Sequence, residues 1–551
     1  MKMKIIFSMI ILVISSVVTA QYSLQWYSIY DNPHPSYNDI AVDLIEDSIG
    51  NIYVTGTSFQ IDLTDDWRYD FATVKYNSNG DSVWVRRYDS SIGNENEDDV
   101  VAIGIDYQNN VYVTGNTYSS SIRISTVKYD ANGNEVWVRG YSDSILSPII
   151  NVNDMKVDGN GNVFLVCSDY TYYPRAGEII KYNTNGDIEW ISKYYRGSQD
   201  VNSLISIDLD SQGNVIATGY TKDSGSTSSD FLTVKYNRYG ILQWVARTDE
   251  TSGDIAHCVH ADDYGNVYIA GYSKVQGNLY DFKIIKYNSY GVKQWTGSYA
   301  GRSEIDLFGN YSRKKMIAED KTGNIYLNFV SNTSGNNDIA TAKFNSSGEM
   351  MWIGLHDIGL IDIASDIRID NSNNVYVTGF SKYELSNNSF VILEYDSAGT
   401  LQKIIKNENQ FSNVFSPAAM SVNNNGDITA TGTCLQDGNP YATDYFTVRY
   451  SSSVGININS NSTPIDFKLY QNYPNPFNPS TKIKYEVPKN GNITLKVFDI
   501  LGKEISVLVS EKQNPGIYEV NFDGNNLPGG VYFYKFESDK FSETKKFIIL
   551  K

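Results

Sequence analysis

Aspartates recur at two fixed places in this 551-residue sequence, and their carboxylates are the groups with which it could most readily do chemistry. Carboxylate oxygens are hard ligands that suit Ca²⁺, so a group of them could bind that ion. They could equally accept backbone N–H groups and hold loops in place. Recurrence favours this second interpretation, because an architectural need repeats whereas a catalytic site usually does not. The first set opens an apolar segment and comprises Asp39, Asp254 and Asp362, with Asp98 or Asp99 before Val100. The second set comprises Asp70, Asp230 and Asp281, each followed by Phe, with Asp338 and Asp444 similarly placed.

Aromatic residues lie in the same stretches and could add a platform for a ligand. Exposed rings among carboxylates suit a sugar or a protein partner. The chain has 43 tyrosines, however, so a tyrosine in a loop carries little information. Trp67 and Tyr172 are the aromatic residues we keep as candidates. The wider group is Trp67, Tyr69, Tyr118, Tyr170, Tyr172 and Tyr173.

The sequence lacks the familiar catalytic motifs. It has four histidines and contains no Gly-x-Ser-x-Gly, His-Glu-x-x-His or phosphate-loop pattern. A secreted enzyme that degrades polysaccharide or peptide needs only a well-placed pair of carboxylates, and 63 acidic residues could supply one. Such an enzyme, with carboxylates at a channel mouth, is therefore the alternative to a binding protein.

The elements that must position these residues form an internal repeat. The phrase that begins at Gly50, Gly-Asn-Ile-Tyr-Val-Thr-Gly, recurs in eight copies, the last of them looser, about fifty residues apart. Each copy divides into four short segments rich in Val, Ile, Thr and Tyr, which are strand-forming residues. In most copies a Trp follows a turn Gly by four residues, and we expect these tryptophans to pack between blades. The pattern predicts an all-β fold, an eight-bladed β-propeller with four-stranded blades, over residues 21–455.

The eighth copy lacks a fourth strand, while the N-terminal segment around Trp26 is a fourth strand without a blade before it. We therefore predict that the N-terminal strand closes the last blade and leaves no open sheet edge. The tight turns then lie at one end of the ring. The variable loops lie at the other end together with both aspartate sets, which makes that end the candidate ligand face.

The phrases Tyr-Asn-x-x-Gly-x-x-x-Trp and Asn-Val-Tyr-Val-Thr-Gly resemble the bacterial β-propeller repeats called SBBP repeats. The resemblance covers residues 22–455 and implies the propeller architecture. It implies no particular activity, because no single activity goes with that repeat.

The N-terminus sets the expected compartment. Lys2 and Lys4 precede an apolar run, and small residues up to Ala20 stand before Gln21, which is typical of a signal peptide over residues 1–20 cut after Ala20. A membrane anchor is the alternative, but the run falls short of the roughly 20 residues that span a bilayer. We expect no transmembrane segment in the mature chain. The formal charge of −18 argues against nucleic acid as a partner.

After a polar linker at residues 456–464, alternating segments predict a small β-sandwich at residues 465–551. Its motifs resemble the C-terminal sorting domain of the bacterial type IX secretion system. The resemblance implies passage through the type IX translocon, then action by its sortase, with release or attachment to surface lipopolysaccharide. An ordinary immunoglobulin-like accessory domain is the alternative. The motif residues are Tyr473, Pro474, Asn475, Pro476, Phe477, Gly502, Gly530 and Tyr532.

Taken together, the sequence favours a secreted or cell-surface binding or scaffold protein over an enzyme. The expected ligand is a glycan, a protein or another component of the cell envelope. A purely structural module is a third possibility. No cofactor is required by this interpretation, although Ca²⁺ could bind at the aspartates.

Overall fold

The computed structural model describes the chain except for a set of short stretches. The residues that it describes form strands and turns only, which confirms the all-β fold. One compact unit spans Leu24–Ser451, and a second contains the C-terminal residues Ser452–Lys551. The residues outside the description are 1–20, 32–36, 62–66, 91–97, 118–123, 143–149, 170–174, 251–252, 277–278, 304–314, 334, 385–386, 407–413, 437–438, 454–466, 473–474, 478, 525–526, 539–540 and 551.

The strands of the first unit are short and end at tight turns. In the first such turn, the N–H of Gly50 bonds to the carbonyl of Asp47 at 3.0 Å, and Gly50 has a φ of 86°. The Asp47 carboxylate accepts the N–H of Asn51 at 2.9 Å and so fixes the turn from inside. The first seventeen strands are β1 (Gln21–Tyr30), β2 (Asp39–Glu46), β3 (Ile52–Ile61), β4 (Trp67–Tyr76), β5 (Ser82–Tyr88), β6 (Asp99–Ile105), β7 (Val111–Asn116), β8 (Ile124–Tyr129), β9 (Glu135–Tyr141), β10 (Ile150–Val157), β11 (Val163–Asp169), β12 (Gly177–Tyr182), β13 (Ile188–Tyr194), β14 (Val201–Leu209), β15 (Val215–Lys222), β16 (Asp230–Tyr236) and β17 (Leu242–Thr248).

The rest of the first unit continues the same pattern. Its strands are β18 (Asp254–Ala261), β19 (Val267–Gln276), β20 (Leu279–Tyr287), β21 (Lys293–Ser303), β22 (Ile317–Glu319), β23 (Ile325–Ser331), β24 (Asp338–Phe344), β25 (Met350–His356), β26 (Ile361–Ile369), β27 (Val375–Glu384), β28 (Asn387–Tyr395), β29 (Leu401–Lys406), β30 (Val414–Val422), β31 (Ile428–Gln436) and β32 (Asn439–Ser453).

Within the described residues, these strands form eight four-stranded sheets. Seven sheets take four consecutive strands each, starting from β2–β5, and we number them as blades 1 to 7 in chain order. The eighth has the order β1-β32-β31-β30, so the N-terminal strand is its outermost strand. The innermost strands of neighbouring blades contact one another all the way round, and β30 of blade 8 contacts β2 of blade 1. The sheets therefore form a closed ring.

Tryptophans on the outermost strands pack between blades. A Cβ added to Gly291 of blade 5 would lie 2.6 Å from the ring of Trp244 of blade 4, so the indole lies directly on that turn. The indole N–H of Trp244 also donates to the carbonyl of Ser289 at 3.0 Å. Trp26 of β1 packs in the same way on Gly80 of blade 1. Each indole needs a bare glycine in the turn of the next blade, which explains why both the Trp and the turn Gly recur in the repeat.

The C-terminal unit is built from two sheets that enclose their own core. One sheet has the order β33-β34-β37 and the other β36-β35-β38-β39. Alternate residues such as Ile483, Leu495 and Phe536 are fully buried between them. The strands are β33 (Lys468–Leu469), β34 (Ser480–Val487), β35 (Gly491–Phe498), β36 (Glu504–Gln513), β37 (Gly516–Asp523), β38 (Gly530–Ser538) and β39 (Phe541–Ile549).

Candidate functional site

The two aspartate sets meet at the junctions between blades, at the loop-bearing end of the ring. At the junction of blades 4 and 5, Asp230 of β16 and Asp254 of β18 are joined by Asp249, which follows β17. One carboxylate oxygen from each lies within 4.8 Å of the other two. The same arrangement recurs at two further junctions. These groups are Asp338, Asp357 and Asp362 between blades 6 and 7, and Asp31, Asp39 and Asp444 between blades 8 and 1.

A main-chain bond aligns the blades at these junctions. The N–H of Asp254 donates to the carbonyl of Ser229, the residue before Asp230, at 2.8 Å. The N–H of Asp362 donates to the carbonyl of Asn337 at 2.7 Å. At the junction of blades 1 and 2, the N–H of Asp98 donates to the carbonyl of Tyr69 at 2.9 Å. The bond brings the start of one blade's inner strand against the start of the third strand of the preceding blade, so the two aspartates become neighbours.

Each innermost aspartate also holds the loop that leads into its own strand. The carboxylate of Asp98 accepts the N–H of Ser90 at 2.9 Å and its hydroxyl at 2.7 Å. The carboxylate of Asp254 accepts the N–H of Glu250 at 2.8 Å. That of Asp362 accepts the N–H of Gly359 at 3.1 Å. These bonds fix the start of each blade-to-blade loop.

The junctions differ in how their charge is balanced. In blade 1 the guanidinium of Arg87 lies 3.3 Å from Asp70, and in blade 4 Arg247 forms an ion pair with Asp230. Register places Arg87 opposite Ala72 and Arg247 opposite Leu232, two residues beyond the aspartate in each case. In blade 6 the equivalent position, opposite Ala340, is Leu355. An internal cation therefore stands at some junctions and an apolar side chain at another.

Burial makes these carboxylates harder to ionise. It raises the pKa of Asp70 to about 6 in spite of Arg87, and it raises the pKa of Asp98 to about 6 in spite of the bonds from Ser90. Burial also raises the pKa of Asp230 and of Asp362. Groups of three carboxylates of this kind have the hard oxygen ligands with which a divalent cation could be held.

The remaining predicted residues are placed as follows. Asp39 is fully buried and accepts the Ser58 hydroxyl at 2.6 Å. Asp281 lies in β20, opposite Ser273. Trp67 is the first residue of β4, and its side chain lies outside the described residues. Tyr172 and Ala20 also lie outside the described residues, and Gln21 is the first residue of β1.

The wall of the central channel carries charges that the repeat pattern did not reveal. Lys315 of blade 6 forms an ion pair with Asp43 of blade 1, on non-adjacent blades, and so crosses the channel. A cavity of about 890 Å³ has both of these side chains in its lining and reaches the turn residues Glu46 to Gly50. The pairing joins residues 272 positions apart, which no local pattern could indicate.

A second ionic chain runs along the channel wall across blades 3 to 6. Lys156 lies 3.2 Å from Asp208, which lies 3.5 Å from Nδ1 of His260, while Nε2 of His260 lies 2.8 Å from Glu319. Burial lowers the pKa of His260, but the hydrogen bonds to both carboxylates outweigh it and raise the pKa to about 9. The ring is therefore protonated at neutral pH and acts as a structural cation rather than a general base.

The sorting motif predicted from the sequence holds the last strand of the C-terminal unit. The side-chain oxygen of Asn475 accepts the N–H of Ile548 at 2.9 Å, and the N–H of Phe477 donates to the carbonyl of Ile548 at 3.0 Å. Phe477 is buried, and the peptide bond from Asn475 to Pro476 is cis. Tyr473 and Pro474 lie outside the described residues.

The other motif residues shape turns and core in the same unit. Gly502 closes a turn with a φ of 80°, and its N–H donates to the carbonyl of Asp499 at 3.0 Å. Gly530 begins β38. Tyr532 is buried against Phe547 and donates its hydroxyl to the carbonyl of Pro528 at 3.0 Å. Asn475 and Phe477 of the motif therefore hold β39 at the edge of its sheet.

Residues 471–550 match the family model of the secretion system C-terminal sorting domain. The protein is thus a bacterial cell-surface or extracellular protein that carries a type IX secretion signal. No helix in the described part of the chain has the length and apolarity needed to cross a membrane.

No curated protein matches the sequence. The chain is similar to several solved structures at low sequence identity, three of which follow. A fungal alcohol oxidase of the AA5 family in complex with copper is 11% identical, with a TM-score of 0.38, over 97% of this chain and 100% of its own. Puromycin hydrolase is 9% identical, with a TM-score of 0.44, over 72% of this chain and 59% of its own. The polysaccharide lyase Uly1 is 10% identical, with a TM-score of 0.40, over 76% of this chain and 91% of its own. Likenesses this distant carry no argument about activity.

Proposed function

We propose that the exported propeller is a non-catalytic binding or scaffold module, which holds a glycan, a protein or another envelope component at its loop-bearing end. The observation that carries the proposal is the recurrence of one carboxylate arrangement at several blade junctions. A catalytic centre is normally one group of residues that occurs once and does not follow the repeat of its scaffold. A repeated arrangement that fixes successive loops instead favours a broad binding surface.

The delivery of this module is part of the proposal. A signal peptide over residues 1–20 is removed between Ala20 and Gln21, and SBBP-type repeats form the propeller over residues 21–455. A linker at residues 456–464 joins it to the sorting domain at residues 465–551. The type IX translocon and its sortase then act on this domain, and the product is attached to surface lipopolysaccharide or released.

The candidate residues have two roles in this proposal. The junction aspartates position the loops. Aromatic side chains at the same end of the ring, Trp67 and Tyr172 among them, make the contact with the ligand. The junction aspartates concerned are Asp39, Asp70, Asp98, Asp230, Asp254, Asp281 and Asp362.

A secreted hydrolase or lyase is the second candidate function, and one observation favours it. Asp70 and Asp98 both have pKa values raised to about 6, where a carboxylic acid can donate a proton near neutral pH. Both side chains are, however, almost completely buried, with exposed fractions of 2% and 3%. A substrate would have to reach them through the loops that they hold, so binding without turnover is the better supported function.

A glycan-array screen of the exported chain tests this proposal, with product formation read in the same wells. Each array is run in Ca²⁺ and again after chelation. Retention without cleavage supports the binding module, and loss of retention on chelation assigns the junction carboxylates to a cation. Cleaved product would contradict the proposal and direct attention to Asp70 and Asp98. The matched variant for this screen carries Asp254→Asn and Asp362→Asn together. It removes two of the loop-holding charges and preserves the side-chain volume.

A further inference from the structure

Three exposed tyrosines lie on neighbouring tight turns of blades 4 and 5, at the end of the ring opposite the proposed ligand face. Tyr239 is 64% exposed, Tyr264 is 87% exposed and Tyr290 is 82% exposed. Tyr239 belongs to the outer turn of blade 4, while Tyr264 and Tyr290 belong to the two turns of blade 5. A contiguous exposed apolar surface marks an interaction site, whereas a single exposed aromatic residue such as Tyr107 in blade 2 does not.

Aliphatic side chains extend this surface on the same two blades. Ile241 is 60% exposed and Val292 is 57% exposed, and each directly follows the glycine of its turn. Leu242, next to Ile241, is 44% exposed. We call the six side chains the tyrosine patch: Tyr239, Ile241, Leu242, Tyr264, Tyr290 and Val292.

The patch departs from the repeat, so the fold does not require it. Where blades 4 and 5 have Tyr239 and Tyr290 before the turn glycine, the other blades have small or polar residues. Where they have Ile241 and Val292 after that glycine, the others have polar or acidic ones. The residues before the glycine are Asn79, Asn132, Asn185, Ser347 and Ala398. Those after it are Asp81, Asn134, Asp187, Glu349 and Thr400.

The turns that carry the patch are rigid. The side-chain oxygen of Asn237 accepts the N–H groups of Tyr239 and Ile241, both at 3.0 Å. The Ser211 hydroxyl of blade 4 donates to the carbonyl of Asp263 of blade 5 at 3.1 Å, which links the turns of the two blades. Little conformational entropy is therefore lost when the patch is covered.

The size and charge of the patch fit a second copy of this chain. A buried tyrosine contributes roughly 150–250 Å², so the three tyrosines with their aliphatic neighbours approach the ~800 Å² per partner of a specific interface. The chain has a net charge of −18, so two copies repel one another except where the surface is neutral. The six side chains of the patch are uncharged. The Arg238 guanidinium lies over the Tyr239 ring, 4.9 Å from its centre, and the exposed Asp263 next to Tyr264 carries the opposite charge. Two copies related by a two-fold axis can therefore meet there without repulsion.

We propose that the exported protein forms a two-fold dimer through the tyrosine patch. The dimer presents the loop-bearing ends of two rings away from the contact, so it doubles the number of ligand sites. The inference stands independently of what the ligand is, because the patch lies at the opposite end of the ring.

The test is the mass in solution of the full exported chain, measured by light scattering and by sedimentation equilibrium from about 1 to 100 µM, the weak end of the affinities that an interface of standard size reaches. The test variant is Tyr239→Asn, Ile241→Asp and Tyr290→Ser together. Each change installs a residue that other blades carry at the same turn position, so the variant is expected to fold, which its circular dichroism and melting temperature check. The control is Ile49→Thr, which removes an exposed aliphatic residue (72% exposed) from a turn of blade 1.

We expect a dimer for the parent chain and for the control, and a dissociation constant at least tenfold higher for the triple variant. Higher salt should strengthen the dimer, because it screens the repulsion between acidic chains and leaves apolar contact intact. A parent chain that is monomeric at every concentration would overturn the inference. A dimer that survives unchanged in the triple variant would also overturn it, since the contact would then lie elsewhere.

Discussion

The two ends of the ring use the same side chain in different ways. At the turn end, the aspartate or asparagine that opens a turn accepts the N–H groups two and four positions later, and in several inner turns it also accepts the hydroxyl of a tyrosine six positions later. Asp106, for example, accepts the N–H groups of Gln108 and Asn110, both at 2.9 Å, and the Asn110 side chain at 2.7 Å. At the loop end, the main-chain N–H groups of the junction aspartates bond across blades, and the partners of their carboxylates change from one junction to the next. The turn end therefore repeats because its bonds are local, whereas the loop end is free to diverge.

Under the proposed function, this difference places stability at the turn end and ligand binding at the loop end. A change at the turn end breaks a unit that supports the whole ring. A change at the loop end alters charge and loop position while most of the ring keeps its packing. Substitutions at the two ends should therefore differ in size and in their dependence on pH.

The largest effect is expected for Trp137→Ala at the turn end. Trp137 is 7% exposed, packs on Gly186 of the next blade and donates its indole N–H to the carbonyl of Thr184 at 3.1 Å. Removing a buried indole costs about 3–5 kcal/mol of unfolding free energy. Urea unfolding followed by fluorescence measures the loss. Val136→Ala is the control, because Val136 is exposed on the same strand; an equal loss there would show that the packing between blades is not the cause.

A smaller effect is expected for Asp106→Ala, also at the turn end. The carboxylate accepts three bonds within the turn and the hydroxyl of Tyr112 at 2.9 Å, and it is 6% exposed. Loss of a charged acceptor with buried partners costs about 2–3 kcal/mol. Asp130→Ala removes a similar but more exposed turn acceptor in the same blade and should cost less. Equal losses at both sites in urea unfolding would contradict this ranking.

Arg247→Leu removes a cation from the junction of blades 4 and 5. This junction then resembles the one between blades 6 and 7, which has Leu355 at the equivalent position. Asp230 then loses its cation, so its pKa should rise further and the fold should lose about 1–2 kcal/mol at pH 7. The loss should shrink as the pH falls, because burial raises the pKa of Asp230 and the carboxylate is protonated more readily than an ordinary aspartate. Melting temperatures at pH 7 and at pH 4 measure this, and a loss of equal size at both would attribute it to packing.

The smallest effect at neutral pH is expected for Asp98→Asn. Its pKa is about 6 in the folded protein, above the ordinary value of 3.8, so the folded state binds the proton more tightly. The stability that protonation of Asp98 gives is fully present below pH 4 and is lost as the pH rises through 6. The stability of the variant should fall less than that of the parent between pH 4 and pH 7, because an amide does not lose a proton in this range. A pH series of melting temperatures that runs parallel to the parent's would contradict this.

The sequence predicted the fold far better than it predicted the site. Strand composition, the Asp-x-x-Gly turns and the Gly-to-Trp spacing are local features, and each repeat displays them. The pairing of β1 with β32 followed from counting strands, because one blade lacked a strand that the N-terminus could supply. Lys403, where the pattern has a tryptophan, shows that one blade can lose this residue and still form β29.

The sequence revealed only part of the site, because the residues that form it are far apart in the chain. Both aspartate sets could be found by recurrence, but Asp70 and Asp98 belong to different repeats, and only the bond between blades brings them together. The pairing of Lys315 with Asp43 across the channel and the environment of His260 had no signal in the repeat. Only the strand register shows that Arg247 and Leu355 occupy equivalent positions in their blades.

The most direct test of the account is to find which parts of the chain a bound ligand protects from hydrogen–deuterium exchange. Hydrogen–deuterium exchange would be measured on the exported protein with and without the glycan that the array retains most tightly. The account predicts protection in the peptides that contain the blade-to-blade loops, such as residues 248–254 and 356–362, and unchanged exchange in the turns of the same blades. Protection confined to the turn end, or to the channel wall around Lys315, would contradict the claim that the loop-bearing end is the binding surface.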